Sequence, residues 1–521
     1  MKKTPILHPF FFAVYLVFGL YAQNPQELPM EWLVRPLLLS LGLTTLLFLL
    51  TKRWTGDPQH AGLITTLGLG WLFFGHIRNA LMEVTDSSFS MTQQLLLLGV
   101  WSLLLFFIGS KWLWRRIKIP ELVTNFLNVT SWAVILLPTY FVISFTVQSI
   151  QQARILHGRG ETQAAMTLSA SSRPDIYVII LDAYAREDFL RDVFQYDNSG
   201  FTDFLREKGF YVADESSPNY PQTQLSLSSL LNFMYLDDWA RGLEKTNGRA
   251  PFINLIEQSQ VIRSLDELGY TIVNVPNTTL IGNLEDSDIY LPMSRLRVNE
   301  FEGLILSTTV LDFFAEGSDL PIPGYTLQRR AIQYQLDTLK TIPEIPGPKF
   351  VFVHILAPHP PFVFDANGNP VQSEAQFTLG DGGGFPGTRE EYRDGYTQEL
   401  AYINQQMEQV VTSILENSQQ EPIIILQGDH GPGSYFSMLK LEDVDCLWER
   451  YSILNAYYFP GQKYEALYPA ITPANSFRVI FNTYFGTELP LLADKNFYAS
   501  YATPYMATDI TGTFEQSCPI K

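Results

Sequence analysis

Cysteine is nearly absent: Cys446 and Cys518 are the only two in 521 residues. That excludes a disulfide framework and a cysteine metal cluster, and leaves room for one bridge that nothing in the spacing requires. Charge is scarce too, 17% of the chain against 46% hydrophobic residues, a balance too apolar for a disordered protein. Positive charge is scarcest. With 35 Lys and Arg against 53 Asp and Glu, a formal net charge of -18, the protein has little with which to neutralise phosphates, so a nucleic-acid partner is excluded. Metal cations suit the acidic balance better. There is neither an internal repeat nor a low-complexity tract, and the length calls for at least two structural units.

The acid is unevenly placed. Residues 1–150 hold 10 Lys/Arg and 6 Asp/Glu, whereas the remainder hold 25 and 47. Five apolar stretches fall at about 5–22, 32–50, 61–77, 94–110 and 124–147, each near the ~20 residues needed to cross a bilayer. A cleaved signal peptide would explain only the first, and Ala22-Gln23-Asn24-Pro25 is a poor cleavage site. Residues 1–147 are therefore expected to be a transmembrane domain of five helices. If these alternate, Lys2, Lys3, Lys52, Arg53, Lys111, Arg115, Arg116 and Lys118 share one side, and Glu27, Glu31, Glu83 and Asp86, with Arg35 and Arg78, the other. The expectation is an integral plasma membrane protein with a cytoplasmic N-terminus and everything beyond about residue 148 outside. Few ionisable groups lie within the apolar stretches, and the best candidate for a polar relay, His76, sits at a helix edge beside Arg78, which disfavours a transporter.

Residues 148–173 mix a short amphipathic start with a Gly, Ser, Thr and Ala-rich end, as a linker would. From 174 to 521 the pattern changes to short β-branched runs, at 175–181, 270–275, 349–356, 422–428 and 453–459. Helical patterns fall between them at 199–208, 224–232, 261–268, 326–341 and 389–416. Nearly continuous apolar strands alternating with helices predict an α/β domain whose central sheet is covered on both faces.

In such a sheet the chemistry gathers beyond the carboxyl ends of the strands. One strand runs into Asp182, and another into Asp429-His430-Gly431. Asp182 alone could merely cap the following helix, but two polar groups buried after an aliphatic strand need compensation. Together the three offer a divalent cation mixed oxygen and nitrogen ligands. A Pro-containing turn delivers Thr223 to the start of an apolar helix, where it is either a plain N-cap or a hydroxyl facing an anionic group. The segment Phe352 to Phe362 carries His354 in a strand and His359 in a Pro-flanked loop. A structural role suits His354 as well as a site role does, while the rigid loop favours the site for His359.

These residues resemble the alkaline phosphatase and sulfatase superfamily, in particular its membrane-anchored branch of lipoteichoic acid synthases and phosphoethanolamine transferases. The resemblance rests on LDAYARED with Asp182, Thr223 at a helix start, PHPPF with His359 and GDHG with Asp429 and His430. It implies that Asp182, Thr223, Asp429 and His430 surround one divalent ion (Mn, Mg or Zn), that Thr223 is the nucleophile, and that His359 and His354 serve substrate. Asp182 stands where lipoteichoic acid synthases commonly carry Glu. The resemblance further implies transfer of a phosphoryl, phosphoglycerol or phosphoethanolamine-type group on a membrane lipid or envelope glycan. Alternatives are a sulfatase-like phosphodiesterase, phosphatase or sulfuric ester hydrolase releasing product to water, and an inactive membrane scaffold or receptor. Neither cysteine lies in the C/S-x-P-x-R setting of a formylglycine sulfatase, and Ser216-Ser217-Pro218-Asn219-Tyr220 has Tyr where Arg is needed. No histidine follows His430 to serve a second metal, so a single-metal site fits better. Residues 389–416 resemble the superfamily helix beside the site, with Asn404 where Asp is frequent. Residues 280–325 and 365–390 read as insertions near the site mouth.

Overall fold

The structure, a computed structural model, describes residues 4–23, 25–85, 89–110, 120–157, 172–294, 298–315, 318, 320–371, 377–513 and 518. The predicted cytoplasmic cations Lys2, Lys3, Lys111, Arg115, Arg116 and Lys118, together with Asp86, lie outside these residues, as does most of the predicted linker. The chain divides into two compact units, one built on Met1–Gln151 with Val298–Gly324, the other on Gln152–Arg297 with Tyr325–Ser373 and Phe377–Lys521.

In the first unit the helices are His8–Tyr21, Val34–Thr55, Pro58–Leu72, Phe74–Thr85, Met91–Gly109 and Pro120–Leu156. Among the described residues three spans are long and apolar enough to cross a membrane, Met30–Thr55, Met91–Gly109 and Pro120–Leu156, where five were expected. His8–Tyr21 has 14 residues, about 21 Å at 1.5 Å per residue, shorter than a hydrocarbon core of about 30 Å. The third apolar stretch breaks at Phe73, whose ψ of 39° leaves the helical region, so it forms two shorter helices. Leu38, Leu39, Leu96, Leu103, Phe106 and Phe126 expose more than half their surface, the pattern of helices whose outer faces meet lipid.

This unit also takes in part of the predicted 280–325 insertion. Helix Glu300–Ser307 begins with an Asn299–Glu302 capping box, and Phe301 packs with Val17, Tyr21, Leu33 and Val142. Two ion pairs fasten the segment. Glu302 receives the Arg35 guanidinium in bidentate fashion, and Asp312 lies 2.5 Å from Arg78.

The second unit is built on seven strands: β1 Ile176–Leu181, β2 Tyr211–Val212, β3 Thr271–Asn274, β4 Ile289–Tyr290, β5 Lys349–Ile355, β6 Ile423–Gly428 and β7 Asn455–Tyr458. Their order is β2-β7-β6-β1-β5-β3-β4. The run from β6 to β4 is parallel, and β7 lies antiparallel between β6 and β2. The five predicted strands are all present; β2 and β4, two residues each, are too short for alternation to reveal.

β1 shows why the apolar runs are continuous. Tyr177, Ile179 and Leu181 join one buried cluster with Val351, Val353, Ile424 and Leu426. Ile176, Val178 and Ile180 join another on the opposite face, with Phe350, Phe352, Ile423 and Ile425. Side chains alternate across the sheet and both faces are covered, so every position must be apolar. The register pairs Leu181 with both Ile355 and Gly428, and the three central strands therefore release Asp182, Leu356 and Asp429 side by side at one end of the sheet.

Candidate metal and phosphoryl-transfer site

Two constraints shape the loops beyond those strand ends. Ala183 follows Asp182 with φ at 63°, and this left-handed turn aims its N–H at Asp429 Oδ1, 3.1 Å away. Tyr396, on helix Arg389–Asn417, braces the turn by donating to the Ala183 carbonyl at 2.8 Å and accepting from the Ala185 N–H at 2.9 Å. After His430, Gly431 passes so close to the Glu449 carbonyl that a Cβ would collide with it. Only glycine fits there.

Asp182, Asp429 and His430 present one ligand atom each, all within 4.8 Å of one another, and all three residues are buried. Asp182 Oδ1 and Asp429 Oδ2 lie 3.5 and 3.3 Å from His430 Nε2, yet among the described residues neither oxygen has a hydrogen-bond donor. His430 Nδ1 sits 3.0 Å from the Gly431 carbonyl. Donating there fixes the tautomer and leaves the Nε2 lone pair facing the carboxylates. Burial and the Arg450 guanidinium push the imidazole's pKa down, against the pull of Asp429, Asp182 and Asp381. Two orphaned carboxylate oxygens and an imidazole lone pair converging in a buried site fit a divalent cation.

Thr223 completes the group. It is the first residue of helix Thr223–Asn232, after Gln222 in an extended N-cap conformation that provides no side-chain cap. Its Oγ1 lies 3.1 Å from His430 Nε2. It is half-buried while the nine helix residues after it are buried. Ser226, one turn on, donates to the Asp429 backbone carbonyl at 2.7 Å, so its hydroxyl is committed to holding the Asp429 loop.

The two remaining candidates fall at different depths. His354, 1% exposed, lies behind Asp182 with Nε2 3.1 Å from Oδ2, and its Nδ1 is 3.1 Å from Asn277 Nδ2. Burial pushes Asp182 up, but His359, His354 and His430 outweigh it and hold the carboxylate below the usual range. His354 is shifted the other way: burial lowers it, and the Asp182 carboxylate raises it further. His359 is half-buried, its ring centroid 6.4 Å from that of His430.

Several neighbours carried no sequence signal. Arg450 Nη2 lies 3.1 Å from His430 Nε2, and its Nη1 pairs with Asp381. Asp381, from the Gly-rich insertion, also accepts from the Tyr392 hydroxyl at 2.8 Å. Asn404 is away from the ligands, accepting from the Tyr184 hydroxyl at 2.7 Å and donating to Asn198 at 2.8 Å.

The sulfatase family's sequence profile matches residues 192–477, a stretch that carries Thr223, His359, Asp429 and His430. No curated protein matches the chain. Among solved structures, the C-terminal periplasmic domain of EcEptC from Escherichia coli is similar at 13% identity and a TM-score of 0.45, covering 68% of this chain and 99% of that one. The soluble domain of lipooligosaccharide phosphoethanolamine transferase A from Neisseria meningitidis follows at 11%, with 61% and 90% coverage and a TM-score of 0.41. The 2-O GAG sulfatase BT1596 gives 13%, 67%, 76% and 0.40. With more than half of its length matched by that profile, the chain belongs to the sulfatase family.

Proposed function

We propose that the protein is a membrane-anchored, metal-dependent transferase. In this reading it moves a phosphate-linked group, of phosphoglycerol or phosphoethanolamine type, from a lipid donor to a lipid or envelope glycan acceptor through Thr223. The observation that carries the reading is the convergence of Thr223 Oγ1 with the His430 lone pair and the two orphaned oxygens of Asp182 and Asp429. Those four residues would hold the ion, Mn, Mg or Zn, which when bound supplies the positive charge that lowers the pKa of the hydroxyl and stabilises charge on phosphorus. The bond from Thr223 Oγ to phosphorus forms as the bond from phosphorus to the donor's alkoxide breaks. The hydroxyl proton leaves to water, and the alkoxide takes one from water. The acceptor hydroxyl then repeats the exchange on phosphothreonine. His354 orients Asp182 from behind, and His359, at the half-buried rim, meets substrate. A hydrolase differs only in using water for the second exchange.

Placement outside the cytoplasm is part of the proposal. Arg35 and Arg78, both assigned to the outer side by helix alternation, both pair with residues of 298–324. A shared partner at one end of the unit supports five crossings in which the shorter helices also traverse.

The test is metal analysis with mapping of the covalent adduct on the full-length protein. Thr223→Ala should abolish turnover and adduct alike, whereas Ser226→Ala, which removes one hydrogen bond worth about 1 kcal/mol, should retain roughly a tenth or more of the activity. A protein without bound divalent ion, an active Thr223→Ala variant or an adduct on Ser226 refutes the mechanism.

A further inference from the structure

Arg450 is 2% exposed, and its guanidinium is fixed on three sides. Nε donates to the Pro221 carbonyl at 2.8 Å, two residues before Thr223. Nη1 donates to the Gly431 carbonyl at 3.0 Å, next to His430, and to the Asp381 carboxylate. Asp381 is itself held by Tyr392, and Phe436 shields the guanidinium, its ring centroid 5.3 Å from Cζ. The cation thus bolts the turn that delivers the nucleophile to the loop that delivers the ligand histidine.

Nη2 is the exception, because its acceptor is the His430 Nε2 lone pair, the same lone pair that the carboxylates and Thr223 surround. Were His430 to hold a divalent ion through Nε2, that lone pair would no longer be open to Nη2. Nη2, held in place by the other three contacts, then becomes a buried charged donor in need of an acceptor, and leaving it unsatisfied is costly. Nη2 and Thr223 Oγ1 each lie 3.1 Å from Nε2, so an oxygen on a phosphorus atom bonded to Thr223 falls within its neighbourhood. We propose that Arg450 is a catalytic residue that grips a non-bridging oxygen of the phosphoryl group during transfer, with Asp381 as its positioning residue. The proposal rests on the reading of Thr223 as nucleophile and adds the group that holds the phosphorus centre in line with it. Fixed donors of this kind act where charge develops.

The experiment uses full-length protein in detergent, loaded with Mn, and reads bound metal together with protection from thermal unfolding by inorganic phosphate. Wild type should bind both. Arg450→Met should keep bound metal within about twofold but bind phosphate at least about tenfold more weakly, since a charge-assisted fork is lost. Turnover of a soluble aryl phosphodiester should fall about 10²- to 10³-fold. Arg450→Lys should sit between, as a point charge without the fork. Phosphate affinity unchanged in Arg450→Met at full metal content overturns the proposal. If Arg450→Met gives no folded protein, Arg450→Lys decides, and wild-type phosphate affinity in that variant overturns it. Wild type that binds neither metal nor phosphate refutes instead the phospho-transfer reading beneath it.

Discussion

Glu399 is a carboxyl with no evident task in the site and a clear cost to stability. It lies fully buried on helix Arg389–Asn417. Oε1 accepts from the Val363 N–H at 3.3 Å, and Oε2 has no partner among the described residues. Burial raises its pKa well above the usual glutamate value, and the Val363 bond only partly offsets this. The folded state therefore keeps a proton that the unfolded chain loses, so the stability it contributes is present at acid pH and lost as pH rises. Glu399→Gln cannot ionise. Its melting temperature relative to wild type should climb as pH rises from about 4 to 8, and thermal scans across that range check the sign. A difference independent of pH would show that Glu399 is ionised in the fold.

Among the elements, the short helix Leu447–Arg450 matters most for its size. Cys446 caps it, accepting from the Glu449 N–H at 3.4 Å, and is disulfide-bonded to Cys518, the pairing for which the spacing gave no reason. Glu449 accepts from the Ser434 and Tyr435 N–H groups at 2.8 and 2.6 Å, and burial lifts it to about 7 despite those bonds. The bridge closes a loop of 72 residues, for which chain entropy predicts on the order of 4 kcal/mol. Cys446→Ser should melt several degrees below wild type, and wild type treated with reductant should match it. A variant with an unchanged midpoint would remove the bridge from the stability of this unit.

The same helix marks the limit of what the sequence shows. Asp182 and Asp429 were legible because each ends a continuous apolar run, a pattern set by burial on both faces of the sheet. Thr223 was legible because a Pro turn precedes an apolar helix. Arg450 ends a helix of four residues and Asp381 stands in irregular chain, where no period distinguishes a buried charge from a solvated one; only their pairing, across 69 residues of sequence, reveals them. His354 was half legible: its strand position said buried, but not that Asp182 would be its partner.

On the scale of the whole molecule, the chain passes from the second unit into the first at Val298 and returns at Tyr325. No pattern along the chain signals this, because Glu300–Ser307 is one short helix whose apolar residues could equally face a soluble core. The segment is anchored by burial of Phe301, by the half-exposed pair Arg35–Glu302, worth up to about 1 kcal/mol, and by the more buried pair Arg78–Asp312, worth about 1.5–3 kcal/mol.

A nick is therefore not a release. Cutting the chain at an engineered protease site between residues 158 and 171 severs one covalent link, but the fragment so produced still carries 298–324 seated among the membrane helices. It should sediment with membranes through a wash that strips peripheral proteins, and Glu302→Ala with Asp312→Ala should let it go. Shedding of the wild-type fragment would mean that the seat is too weak to hold. Retention would mean that this protein cannot be turned into a soluble form by a single proteolytic event, however accessible the cleavage site.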